Sequence, residues 1–217
     1  MNRIAVVGHG PSLTTRAYGR SIDNHDLVVR MKWHAQLTDH PEIWGTKTDI
    51  VCGSLGISEK LPSLWPDVVK WIVFTDSRTN GYSEAEIERK MLKINHGKVM
   101  VDHKLCKYWD AKYRTKCGIN DEQHTSSGFH ALIYLAKYYS PCVLDLYGFD
   151  SMSTKKWRYS VTRGPDWDRY PNHRFDIENA MLDELCLLYN IRIQFFPDPE
   201  VVAKEIDLEN SGGKTKC

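Results

Sequence analysis

Short runs of β-branched and other apolar residues recur along this chain and alternate with stretches of helical spacing. The runs that have the length and composition of buried strands are Ile4–Val7, Asp26–Met31, Thr48–Val51, Lys70–Thr75, Lys98–Val101, Val143–Tyr147 and Ile191–Phe195. Strands that alternate with helices form sheets covered on both faces. The sequence therefore predicts an α/β fold with a central, mostly parallel sheet flanked by helices.

Apolar residues at helical spacing predict helices at Glu84–Ile94, Ser127–Tyr138 and His173–Tyr189. The stretch 151–172 is rich in Trp, Tyr, Arg, Lys and Pro and has no period. Loops of this length often carry function, so we predict a loop there that closes over a ligand.

The charge balance of the protein gives it no long-range field. Its 217 residues include 29 Lys and Arg against 28 Asp and Glu, which provides no means of attracting nucleic acid or an anionic membrane from a distance. The length suits one domain, which we place at 1–206, with a flexible tail at 207–217. We expect no signal peptide or transmembrane segment, and cysteines without a CxxC pair favour a reducing, cytoplasmic location.

A glycine-rich turn follows the first predicted strand, with Gly8 and Gly10 on either side of His9. Glycines in such a turn let backbone amides approach a phosphate or a ribose. A tight strand-to-helix turn without a ligand explains the same residues. A later predicted strand delivers Tyr147 and Gly148 to the carboxyl edge of the sheet, where open α/β sheets bind ligands.

The run TSSG precedes the predicted helix that begins at residue 127. Hydroxyls and free N–H groups of Ser126, Ser127 and Gly128 converge there, which suits a carboxylate or a phosphate. An ordinary helix cap is the alternative, because Ser and Thr favour that position.

His173 and Glu178 open the last predicted helix with the spacing H-x4-E. The helix dipole disfavours a cation at this end, so a neutral imidazole there can accept a proton. Such a group suits a general base that deprotonates a sugar hydroxyl. On these residues alone, a surface histidine and a first-turn carboxylate are the simpler interpretation.

Asp166 and Asp168 bracket a single residue. Pairs of this kind hold a divalent metal beneath nucleoside diphosphate sugars, because two carboxylates can share a hard cation. Chance explains so short a motif equally well, and we expect no metal.

The order of these segments resembles that of the eukaryotic-type sialyltransferases. AVVGHG, YGRSIDNHDLVVRMK and WGTKTD are similar to the large sialylmotif of that family. TSSGFHALIYLAKYYSPCVLDLYGFD is similar to the small motif, and NHRFDIE to the very small motif. NIRIQFF resembles the strand that follows, so the likeness spans about residues 3–196. Several motifs in the family's order are far more specific than any one of them.

The resemblance implies a single Rossmann-like domain of the variant GT-A type. It also implies a CMP-activated acidic sugar as donor, a glycan or glycolipid acceptor, inversion at the anomeric carbon and no metal or other cofactor. His173 is then the base and Glu178 orients the site. Ser126, Ser127 and Gly128 are then the residues that hold the donor.

The sequence departs from the family pattern at several positions. The two donor-contacting asparagines of the family fall at His9 and Lys32. A lysine can meet a phosphate or carboxylate only as a point charge. The histidine of the third motif has no clear match, so we assign the leaving phosphate to Arg158, Tyr159 or Arg163. The cysteines that cross-link the large and small motifs are also missing, which fits a reducing compartment and a bacterial or viral enzyme.

Two other functions remain open. The turn GHGPSL resembles that of pterin diphosphokinase-like and flagellin-glycosylating proteins, which would bind a nucleotide or sugar differently. Loss of the two asparagines would also suit a non-catalytic nucleotide-sugar-binding protein. HRFDIE and IDNHD favour the leading interpretation, transfer of sialic acid or a related keto-acid sugar such as Kdo from CMP.

Overall fold

A seven-stranded sheet forms the centre of the protein. The computed structural model describes residues 1–14, 16–31, 40–53, 70–74, 84–92, 97–100, 103–118, 124–153 and 174–196. The strands are β1 (Asn2–Val7), β2 (Leu27–Met31), β3 (Ile50–Gly53), β4 (Trp71–Phe74), β5 (Gly97–Met100), β6 (Cys142–Tyr147) and β7 (Arg192–Phe196). They lie in the order β5-β4-β3-β2-β1-β6-β7, and all neighbouring pairs are parallel. The predicted parallel α/β sheet is confirmed, and each predicted strand is present.

The described helices are α1 (Gly19–Asp23), α2 (Pro41–Trp44), α3 (Glu84–Leu92), α4 (His103–Cys117), α5 (Ser127–Tyr139), α6 (Asp150–Ser153) and α7 (Phe175–Tyr189), with a 3-10 turn at Pro11–Thr14. The first two predicted helices are confirmed as α3 and α5. The third, α7, begins two residues later than expected. The sequence did not predict α4. The predicted loop begins with α6, and its remainder lies outside the described residues, as does the tail at 207–217.

Residues of both β1 and α5 belong to the hydrophobic core of the protein. Ile4–Val7 is buried throughout, as expected for a parallel strand that is covered on both faces. Every residue of α5 from Phe129 to Ala136 is also buried. A helix that is buried on all sides belongs to the interior of a domain, so α5 is fixed firmly against the sheet.

The register brings the ends of three strands to one edge of the sheet. Val7 pairs with Tyr147 on one side and with Arg30 on the other. The chain adds β2 to β5 on one side of β1 and β6 and β7 on the other, so the strand order reverses at β1. Ligands of open α/β sheets bind beside the carboxyl ends of strands at such a reversal.

A network of polar groups joins the segment YGRSIDNHDLVVRMK to the segment WGTKTD. Asp23 accepts hydrogen bonds from the backbone N–H groups of Thr46 and Lys47, each at 2.9 Å. Arg30 is 1% exposed and donates to the carbonyls of Trp44 at 2.8 Å and Lys47 at 3.0 Å. Burial lowers the pKa of Arg30 to about 10, so the guanidinium remains charged at neutral pH. Asp23 and Arg30 thus hold the end of α2 and the loop after it to α1 and β2.

Candidate active site

The glycine turn after β1 packs directly against the turn after β6. The N–H of Gly8 donates to the Tyr147 carbonyl at 2.7 Å, and that of Gly10 donates to the Gly148 carbonyl at 2.8 Å. A Cβ on Gly8 would lie 2.6 Å from the Gly148 oxygen. The amides of Gly8 and Gly10 are thus engaged by β6 and the turn that follows it, and the predicted contact of these two residues with a ligand stays a prediction. His9 lies between them and is half-buried.

Asp150 fastens the same two turns together. Its carboxylate accepts hydrogen bonds from the Ser12 backbone N–H at 2.8 Å and from the Ser12 hydroxyl at 2.5 Å. A Cβ on Gly10 would lie 2.4 Å from an oxygen of this carboxylate. Asp150 and Ser12 are not among the site residues predicted from the sequence, although Asp150 ends the YGFD segment at the predicted edge.

Phe149 connects these turns to the start of α5. A Cβ on Gly8 and one on Gly128 would each lie 3.1 Å from its ring. Gly148 precedes it with φ of 68°, and a Cβ there would lie 2.4 Å from a methyl group of Leu13. Glycine at these positions thus allows the turns after β1 and β6 and the start of α5 to approach one another around Phe149.

The side chain of Tyr147 is packed inside the protein. It is 1% exposed, and its hydroxyl forms a hydrogen bond with Ser21 Oγ at 3.0 Å. Its ring stacks on that of Phe196, with the centroids 4.8 Å apart. These contacts anchor the end of β6, and the predicted donor contact of Tyr147 stays a prediction.

Ser126 caps α5, and its polar groups are all engaged. The hydroxyl accepts a hydrogen bond from the Phe129 N–H at 3.1 Å. Both of its donors point to Glu178, the backbone N–H at 2.5 Å and the hydroxyl at 2.8 Å. Ser126 therefore fixes the start of α5 through Glu178, and its predicted contact with the donor stays a prediction. Ser127 and Gly128 come next, half-buried, in the first turn, where backbone N–H groups have no partner within the helix.

Glu178 is a buried carboxyl group and not a surface residue of α7. It is 0% exposed. Burial raises its pKa to about 7, against the opposing effect of the hydrogen bonds from Ser126. It lies 52 residues from its partner in the chain, and its predicted role of orienting the site stays a prediction.

A second buried carboxylate holds the residue before Ser126. Asp110 of α4 accepts hydrogen bonds from the N–H and hydroxyl of Thr125 at 2.9 and 2.7 Å, and from His130 at 3.1 Å. Burial alone would raise the pKa of Asp110, but the hydrogen bonds from His130 and Thr125 hold it below its ordinary value. Two carboxylates from different helices thus fix two consecutive residues at the start of α5.

The start of α7 is held from outside the helix. Arg174 occupies its N-cap without a side-chain cap, and its backbone N–H donates to the Tyr113 hydroxyl at 2.6 Å. Asn179 donates to the Met152 carbonyl at 3.0 Å, which joins α7 to α6. The remaining predicted site residues lie outside the described residues: Lys32, Arg158, Tyr159, Arg163 and His173.

Metal ligands are absent from the described part of the chain, where no cluster of three or more His, Cys, Asp or Glu could hold an ion. Asp166 and Asp168 lie outside that part. Among the described helices, none is long and apolar enough to cross a membrane.

The family of the chain follows from a match over most of its length. The model of glycosyltransferase family 29, the sialyltransferases, matches residues 1–186. The chain belongs to this family. It is therefore a glycosyltransferase, and the match favours sugar transfer over the pterin diphosphokinase alternative. No curated protein sequence matches the chain.

Solved structures of sialyltransferases share the fold. The CstII enzyme of Campylobacter jejuni in complex with CMP-3FNeuAc aligns with a TM-score of 0.63 at 15% identity, over 90% of this chain and 81% of that one. The α-2,3-sialyltransferase Cst-I of the same organism aligns with a TM-score of 0.60 at 16% identity, over 90% and 75%. A mammalian sialyltransferase in complex with Gal-β-1-3GalNAc-ortho-nitrophenol aligns with a TM-score of 0.54 at 21% identity, over 89% and 69%. The predicted sialyltransferase-type fold is thus confirmed.

Proposed function

We propose that the protein transfers sialic acid, or a related keto-acid sugar such as Kdo, from a CMP donor to a glycan hydroxyl with inversion. The family match over residues 1–186 carries this proposal. The candidate site supports it, because the ring of Phe149 lies between the glycine turn and the start of α5, beside the reversal of the strand order. The CstII complex holds a CMP-sugar analogue and the mammalian complex a disaccharide derivative, which supports a CMP donor and a glycan acceptor here.

The donor has a carboxylate and one phosphate, and the start of α5 offers groups that suit an anion. The free N–H groups of Ser127 and Gly128 and the positive end of the helix dipole favour negative charge. Lys32, Arg158 and Tyr159 are proposed to meet the phosphate. Cationic and hydroxyl donors there would stabilise the charge that develops on the leaving group.

We propose that the reaction needs no metal and takes place in a reducing compartment, which for this chain would be the cytoplasm. A leaving group with a single phosphate can be stabilised by protein donors alone. The cysteines of the described residues, Cys52, Cys106, Cys117, Cys142 and Cys186, are all free thiols, which supports a reducing environment.

The proposal predicts that CMP raises the unfolding temperature of the protein more than UDP or GDP does. A ligand that binds only the folded state stabilises it by mass action. Thermal-shift measurements with each nucleotide, with magnesium and with EDTA, test the donor and the metal together. The shift with CMP should be the same in both conditions.

The double variant Asp166→Ala, Asp168→Ala is the control for the metal. It should keep the CMP shift. Stabilisation by a nucleoside diphosphate alone, dependent on magnesium and lost in this variant, would contradict the donor assignment.

His173→Ala should lower turnover by roughly 10²–10⁴-fold, because one positioned base supplies a factor of that size. CMP affinity should stay nearly unchanged, because the base acts on the acceptor hydroxyl. Steady-state rates with a CMP-sugar and the CMP thermal shift measure the two effects. His40→Ala, which removes an exposed histidine before α2, is the control and should keep full turnover. Normal turnover in His173→Ala, or loss of CMP binding, would show that the base is another residue.

A further inference from the structure

The buried face of α4 presents polar groups to both segments that carry the proposed chemistry. Asp110 holds Thr125, next to the cap of α5, and Tyr113 holds Arg174 at the cap of α7. The two side chains are three residues apart, which places them on one face of a helix. An ion pair between Lys112 and Glu184 joins α4 to α7 as well.

Tyr113 is buried without an open surface, at 0% exposure. Its hydroxyl accepts the Arg174 N–H at 2.6 Å. Burial raises the pKa of Tyr113, so the group is a neutral hydroxyl throughout the physiological range. It is not placed to react, and its partner is a backbone amide.

The amide that donates to Tyr113 lies next to the proposed base in the chain. The N–H of Arg174 belongs to the peptide group that joins it to His173, and a peptide group is planar from one Cα to the next. A hydrogen bond to this N–H therefore restrains the backbone on which the proposed base is carried. Arg174 has no capping side chain of its own to do so, and its guanidinium pairs with Asp176 at 2.7 and 2.9 Å.

We propose that Tyr113 is a positioning residue for sugar transfer, and that its hydroxyl fixes the peptide between His173 and Arg174. This inference rests on the proposed function, because it assigns the base to His173. Tyr113 acts through the backbone and touches neither donor nor acceptor. Its loss should therefore change the rate of the chemical step and not the binding of CMP.

The test is Tyr113→Phe, which keeps the buried ring and removes only the oxygen that accepts the hydrogen bond. We expect kcat to fall by roughly 3- to 10-fold, the effect of one neutral hydrogen bond. The donor KM and the CMP thermal shift should be unchanged. Tyr134→Phe is the matched control, since Tyr134 is a buried tyrosine of α5 about 10 Å along the helix from its start. It should keep the parent kcat.

A double-mutant cycle distinguishes the positioning role of Tyr113 from a merely structural role. In a His173→Ala background, Tyr113→Phe should cause no further loss of kcat, because there is no base left to position. An equal loss in both backgrounds, or an unchanged kcat in the single variant, would overturn the proposal. Each variant is assayed well below its own unfolding temperature, so that loss of folding does not enter the rates.

The same experiment distinguishes failure of this inference from failure of the proposed function. A parent protein without transfer from any CMP-sugar would overturn the proposed function and the positioning role with it. An active parent whose His173→Ala variant is impaired, but whose Tyr113→Phe variant is normal, would overturn only the positioning role.

Discussion

At the scale of single residues, Glu178 shows how the site depends on a carboxyl group that no ligand can reach. It lies beneath the start of α5, bound to both donors of Ser126. Its pKa of about 7 stands above the ordinary value of 4.5. Folding therefore favours the protonated carboxyl in the interval between these two values.

This difference predicts a pH dependence of stability. The contribution of protonated Glu178 is fully present below pH 4.5 and is lost as the pH rises through about 7. In Glu178→Gln the group no longer titrates. The free energy of unfolding of the parent, relative to this variant, should thus fall by roughly 3 kcal/mol across that interval. Urea denaturation of both proteins at a series of pH values measures it.

Asp183→Asn on the same helix is the control for this experiment. Its side chain is exposed, so it is solvated in the folded and the unfolded state alike. The variant should keep the pH dependence of the parent. If the free energy of unfolding changed with pH in the same way in the parent and in Glu178→Gln, this result would contradict a raised pKa of Glu178.

At the scale of elements, the loop after α2 is held to α1 by a close approach. Gly45 ends α2 with φ of 70°, a conformation that favours glycine. A Cβ there would lie 2.3 Å from a carboxylate oxygen of Asp23, the residue that accepts the N–H groups of Thr46 and Lys47. Backbone conformation and contact therefore both require glycine here.

Gly45→Ala should destabilise the protein by about 1–3 kcal/mol from backbone strain, with a further loss from the contact with Asp23. Gly118→Ala separates the two effects, since Gly118 has φ of 65° and nothing within 4 Å of the added Cβ. Denaturant unfolding should give a larger loss for Gly45→Ala than for Gly118→Ala. Equal losses would mean that Asp23 moves aside at no cost.

The strands could be predicted from the sequence, and α4 could not. Buried parallel strands leave continuous β-branched runs, such as Ile4–Val7, that need no knowledge of their neighbours. The buried positions of α4 have helical spacing, but they are Cys106, Trp109, Asp110 and Tyr113. Two of these four residues are polar or carry a hydroxyl, so the apolar period is weak. Their burial depends on partners at Thr125 and Arg174, which pattern alone does not reveal.

The sequence predicted which segments form the candidate site, but it did not predict what each residue in them contacts. TSSG does form the start of a helix at the predicted edge of the sheet. That Ser126 is occupied by Glu178, and Gly8 and Gly10 by the turn after β6, depends on contacts distant in sequence. Such contacts arise from the tertiary packing of whole elements. The positions of His173, Lys32, Arg158 and Tyr159 stay predictions.

At the scale of the whole molecule, the reversal of strand order at β1 decides where the site lies. Strands β2 to β5 lie on one side of β1, and strands β6 and β7 lie on its other side. Alternating strands and helices predicted a parallel sheet, but not this order. Both halves contribute to the site, because the glycine turn comes from the first half and α5, β6 and α7 come from the second.

The pairing of β1 with β6 has a consequence for the synthesis of the protein. Asn2 of β1 pairs with Cys142 of β6, so β1 leaves the ribosome long before its partner on that side has been made. Strands β1 to β5 can assemble in order as they emerge, since each pairs with the one before it. The contacts of the candidate site at the start of α5 form only after α7 has been released, because Glu178 must reach Ser126. A chain interrupted before β6 consequently lacks these contacts, and it leaves one side of β1 open to pair with other chains.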